Sequence, residues 1–108
     1  MKFDINTVLT DMLSVIKRTV TNHHDKVQPV NRLFMQRDKE RIQMIAELRI
    51  CGELCDEKFQ LRLACEKLII ESELCALDEI TKTTTRQAAH AAIDILEKAV
   101  LIAIRVPA

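Results

Sequence analysis

From Asp4 onward, Ile5, Val8, Leu9, Met12, Ile16 and Val20 recur three and four residues apart. That spacing puts side chains on one face of an α-helix, and Asp4 is a good N-cap in front of it, so the pattern predicts a first helix from Asp4 to about Thr21. The polar stretch Asn22-His23-His24-Asp25-Lys26-Val27-Gln28-Pro29 interrupts the pattern. Its closing proline biases Gln28 away from helical backbone and suits the first turn of a new helix. A second helix is predicted from about Val30 to Cys51, with Phe34, Ile42, Ile45, Leu48 and Cys51 toward the core. Within it Gln36-Arg37-Asp38-Lys39-Glu40-Arg41 is polar all round, the signature of a stretch that is solvated or projects beyond its neighbours.

Gly52 is the only glycine in the chain, and it fits the left-handed position just past a helix end. Leu54 and Phe59 flank Cys55 as a hydrophobic staple flanks an N-cap, and Asp56 and Glu57 complement the helix dipole in the first turn. A helix break at Gly52 follows. The alternative is one long helix kinked there, because Ile45, Leu48, Cys51, Cys55, Phe59 and Leu63 would stay in phase through it. The third helix, Asp56 to about Ile80, carries two lines of apolar residues seven apart, Leu61, Leu68 and Cys75 on one and Leu63, Ile70 and Leu77 on the other, with Cys65 and Ile69 between them. At 100° per residue they span an arc of about 200°, more than one neighbour can cover. Thr84 with Gln87 reads as a capping box opening a fourth helix, about Thr85 to Arg105. There Gln87, His90, Asp94, Glu97, Lys98 and Arg105 occupy an arc of about 100°, and nearly everything else is Ala, Ile, Leu or Val, as in a central helix.

Composition agrees with this reading. Apolar residues make up 48% of 108 residues, one Gly and two Pro leave little from which to build tight β-turns, and the length suits one domain spanning 1–108. The formal charge is zero, so no global field draws the chain to nucleic acid or to an anionic membrane. Locally, 53–80 is net acidic and its flanking segments net basic, as complementary helix packing requires. Asp4 and Asp11 interrupt any secretory pattern, so a cytoplasmic location is expected, with Cys51, Cys55, Cys65 and Cys75 reduced and buried as small hydrophobes. The most membrane-like stretch, Ala88 to Val106, holds His90, Asp94, Glu97, Lys98 and Arg105, too many polar groups for a span.

Candidate chemistry is sparse. His90, Asp94 and Glu97 share one strip of the fourth helix, a candidate for a small-ligand or metal site, but the strip lacks the Glu-x-x-His pair of di-metal bundles. A solvated face explains it more simply. Cys51 and Cys55 have a spacing that zinc tolerates, while Cys65 and Cys75 are ten apart, so no metal site is assigned, and His23-His24-Asp25 reads as solvated linker. Nucleic-acid binding is disfavoured because Asp38, Glu40 and Glu47 dilute the basic residues of the second helix and the chain has neither Trp nor Tyr. No phosphate loop, serine elbow or zinc-protease motif occurs, no catalytic residue is assigned and no cofactor is called for.

The sequence therefore predicts an all-α antiparallel bundle of four helices, or three if Gly52 is only a kink, assembled as a homodimer. The function it suggests is a non-enzymatic protein–protein interaction or assembly module, with the chain itself as principal partner and another protein as a further candidate. The reason is excess apolar arc on the third and fourth helices. Leu61, Leu68, Ala92, Ile95, Ala99, Ile102 and Ala103 are the candidate interface residues. The alternative is a ligand- or metal-binding bundle built on His90, Asp94 and Glu97.

Overall fold

The computed structural model describes residues 3–20, 32, 34–76 and 80–105. The predicted linker at 22–29, the side chain of Phe34 and Leu77 lie outside the described residues. Four helices pack against each other: α1 (Ile5–Thr19), α2 (Lys39–Ile50), α3 (Asp56–Cys75) and α4 (Lys82–Arg105), with a π-helical turn, Phe34–Asp38, leading directly into α2. No strand occurs among the described residues. The all-α bundle is therefore the fold.

Local chemistry accounts for the helix ends. Asp4 caps α1 through its side chain, which accepts from the Asn6 amide at 3.0 Å and from the Thr7 hydroxyl at 2.8 Å. The Thr7 bond holds the Asp4 carboxyl below its ordinary value, as expected of a carboxylate accepting hydrogen bonds at a helix start. At the other junction Gly52 has φ +87° and ends α2, which settles four helices over three. The Leu54 amide reaches back to the Leu48 carbonyl at 3.0 Å, and Leu54 and Phe59 are both buried, as the staple requires. Cys55 makes no side-chain cap bond. Arg49 braces the turn instead, donating to the Leu54 carbonyl at 3.5 Å with its guanidinium 6.0 Å from the centre of the Phe59 ring.

Two boundaries differ from expectation. α3 ends at Cys75 rather than about Ile80. α4 begins one turn early, because Thr81 rather than Thr84 is the cap: its hydroxyl oxygen accepts from the Thr84 amide at 3.2 Å. The expected start of the second helix at Val30 lies outside the described residues, and within them the π turn at Phe34–Asp38 puts an extra residue into one turn and shifts the helical phase ahead of α2.

The core runs along α4. Ala88, Ala89, Ala92, Ile93, Leu96 and Val100 of that helix are buried, and its small side chains let α1 approach closely with Ile5, Val8, Leu9, Met12, Leu13 and Ile16. α3 contributes Phe59, Leu63, Ile70 and Leu74 from the opposite side, and α2 contributes Ile42, Ile45 and Ala46. Cross-contacts fix the directions as antiparallel. Gln60, early in α3, bonds Glu97, late in α4, at 2.6 Å, and Arg41, early in α2, bonds Glu66 in the second half of α3.

Candidate functional site

The most ordered polar constellation lies where the π turn meets α3. Arg41 donates from Nε to Glu66 Oε2 at 2.6 Å and from Nη2 to Glu66 Oε1 at 3.0 Å, a bidentate fork, and Nη2 also reaches Asp38 Oδ1 at 2.9 Å. Glu66 and Asp38 are almost wholly buried, at 2% and 3% exposure. The Glu66 bond holds the Arg41 guanidinium well above its ordinary pKa, so Arg41 is permanently charged. Glu73, two turns beyond Glu66 on the same line of α3, is half-buried. Burial and the neighbouring Asp38 carboxylate push its carboxyl up to about 8. Two carboxyls side by side cannot both ionise without strong repulsion, so near neutral pH Glu73 keeps its proton.

Here the sequence reading requires correction. Residues 36–41 were expected to be polar on all sides and solvated, whereas Asp38 is buried and Arg41 is turned inward, and only Gln36, Arg37 and Glu40 are exposed. The π turn supplies the physical reason, because a 3.6-residue wheel drawn straight through it misplaces the positions on either side. Two sequence signals pointed to the cluster: Asp38 and Arg41 stand three apart, and Glu66 and Glu73 stand seven apart in line with buried Phe59. Chemically the arrangement is a buried tie between α2 and α3. It lines none of the grooves described below.

The candidate strip on α4 is largely engaged by its neighbours. His90 is exposed, Asp94 pairs with Lys98 at 2.9 Å, and Glu97 accepts from Gln60 at 2.6 Å. Asp94, Glu97 and Lys98 border a groove of about 240 Å³ with Arg49 and Asp56, and His90 does not line it. Among the described residues, no group of three His, Cys, Asp or Glu side chains is placed to hold a metal ion.

The cysteine reading is also corrected. Cys51, Cys55, Cys65 and Cys75 are all exposed, not buried. Cys51 and Cys55 flank the Gly52 turn, and Cys65 and Cys75 follow the Leu61–Leu68 line of α3, which points away from the core.

That line is the most informative surface of the molecule. Leu61 and Leu68 are each 64% exposed, while Leu63 and Ile70, about 200° round the same helix, are at 3% and 1%. The candidate interface residues of α4 divide differently. Ala92 is fully buried within the chain, Ile95, Ala99 and Ala103 are partly buried, and Ile102 is 55% exposed. Ala99 and Ile102 line a groove of about 360 Å³ beside Phe3 and Val8, and Ala103 borders one of about 560 Å³ with Phe3, Met44, Leu48 and Cys51. Apolar surface thus stays open along the outside of α3 and at the C-terminal end of α4.

No protein-family model, curated protein or solved structure matches this chain. No helix among the described residues is long and apolar enough to cross a membrane.

Proposed function

We propose that this chain is a non-enzymatic, self-associating structural module whose role is assembly. The observation that carries the reading is the pair Leu61 and Leu68, each 64% exposed on the face of α3 opposite the core. Two large aliphatic side chains on one line, with Cys65 exposed between them, form a contiguous apolar strip, and burying such a strip against a second surface is favourable at about 25 cal/mol per Å². The polar groups favour no competing chemistry: the Arg41 cluster ties two helices together, and the carboxylates on α4 are held by Lys98 and Gln60. Size exclusion with light scattering tests the reading. The expected result is a mass near twice 12.4 kDa at micromolar concentrations, falling on dilution. A mass of 12.4 kDa throughout refutes it.

A further inference from the structure

On the outer face of α3, Leu61, Cys65, Leu68, Ser72 and Cys75 follow one another at spacings of four, three, four and three. All five are exposed. This is the spacing of a coiled-coil seam, in which Leu61, Leu68 and Cys75 take the d positions and Cys65 and Ser72 the a positions. The seam lies opposite the buried line of Leu63 and Ile70, so a partner helix laid on it leaves the bundle's own core untouched.

We infer that the seam is occupied by α3 of a second copy of this chain, running parallel and in register; this rests on the self-association proposed above. The charges beside the seam favour that occupant and that direction. Glu57 stands at a g position and Arg62, five residues on, at the e position that a parallel mate brings against it. Neither forms an ion pair with another described residue, so both are available to Arg62 of the partner subunit and Glu57 of the partner subunit, giving two symmetric contacts. An antiparallel mate with the same seam layers sets g against g and e against e, which puts Glu71 against Ala64 of the partner subunit and Arg62 against Ile69 of the partner subunit, so Arg62 gains no carboxylate there. Lys58 occupies the first a position and meets its own copy in the parallel arrangement, a like-charge contact at the open end of the seam. A lysine at one a position lowers stability and specifies register, and here Glu57 of the partner subunit lies beside it to offset the charge. Leucine at d with small side chains at a keeps the two backbones close enough for a two-stranded pair.

The exposed cysteines report the geometry without any substitution. In a parallel, in-register pair, Cys65 faces Cys65 of the partner subunit and Cys75 faces Cys75 of the partner subunit. In an antiparallel pair, Cys75 lies opposite Lys58 of the partner subunit, within a short linker's reach of Cys55 of the partner subunit, and far from Cys75 of the partner subunit. The native protein at micromolar concentration is treated with a short bismaleimide, and the linked peptides are identified by mass spectrometry. Linkage of both Cys65 and Cys75 each to itself, lost in Leu68→Glu while the far-UV circular dichroism stays helical, is the expected result. A Cys55–Cys75 linkage, or a dimer of unchanged mass that yields no Cys75 homotypic product, overturns the parallel α3 seam but leaves self-association standing. A protein that scatters as a monomer overturns both and leaves this face to a different partner. The charges are read separately: Glu57→Arg and Arg62→Glu each weaken dimerisation by about fivefold, and the double swap restores it. Failure of the swap to restore the dimer rules out the facing Glu57 and Arg62 on which the parallel direction depends.

Discussion

α1 and α3 are both rich in apolar residues at helical spacing, yet they use them differently. α1 has a single stripe and conceals all of it, with Ile5, Val8, Leu9, Met12, Leu13 and Ile16 buried and Asn6, Thr10, Asp11, Ser14 and Arg18 facing water. α3 has two lines on opposite sides. Phe59, Leu63, Ile70 and Leu74 enter the core, while Leu61 and Leu68 stand in solvent. Periodicity thus counts the apolar faces of a helix without saying how many of them its own chain can cover. Packed against α2 and α4, α3 covers one face and leaves the other open.

The largest expected effect separates these two regions. Leu9→Ala opens a cavity at a position with 0% exposure and should reduce the free energy of unfolding by about 2–5 kcal/mol. Leu68→Ala, measured by urea denaturation at protein concentrations low enough to remove any contribution from association, should change it by no more than about 0.5 kcal/mol. Comparable losses for the two variants would mean that the outer line of α3 is packed, and the contrast between the helices would disappear.

A second comparison lies inside the polar inventory. Arg41→Ala leaves Glu66 buried without its bidentate partner and Asp38 without its cation. Breaking a buried pair from one side costs about 3–5 kcal/mol, and because Arg41 is about a third exposed the lower end applies, about 3 kcal/mol. Lys98→Ala breaks a pair of similar length, but its partners are 70% and 44% exposed, so a change within about 0.5 kcal/mol is expected. Thermal or urea unfolding of the two variants side by side checks the ranking. Equal effects would place the Arg41 cluster at the surface.

The contrast between α1 and α3 also marks what was legible in the sequence. α1 was readable almost to the residue because capping by Asp4 and one uninterrupted stripe agree. The Gly52 turn was readable because only a positive φ makes glycine necessary there, and the buried Leu54 and Phe59 complete the motif. Leu61 and Leu68 were identified, but as one end of a wide arc; that their line stays open depends on where α2 and α4 sit, which is a tertiary fact. Ala92 shows the converse, an expected contact residue that α4 buries within its own chain. The Arg41 cluster escaped because the π turn breaks the assumed phase, and a charged hexapeptide reads as solvated until a partner helix supplies buried carboxylates. Cys65 and Cys75 misled because cysteine counts as apolar in a periodicity argument but tolerates exposure.

A further effect concerns pH, and it belongs to α3 and the π turn rather than to α1. Glu73 has an ordinary value of 4.5 and is raised to about 8 by burial and by the neighbouring Asp38 carboxylate, while Arg37 and Arg41 act in the opposite direction. A group whose folded pKa exceeds its unfolded value binds its proton more tightly in the native state, so protonation stabilises the fold. The contribution is therefore complete below about 4.5 and is lost as pH rises through about 8. Because the side chain is only half-buried, solvent screening keeps the effect below that of Arg41→Ala. Glu73→Gln isolates it, since the amide cannot ionise. The stability of the native chain should fall relative to that of the Gln variant between pH 5 and pH 8.5, followed by urea denaturation at each pH. Subtracting the two curves removes every pH effect that both proteins share. A difference that stays constant across that range would mean that Glu73 is ionised throughout and that the two carboxyls are not side by side, so the polar side of α3 would be held by Arg41 alone.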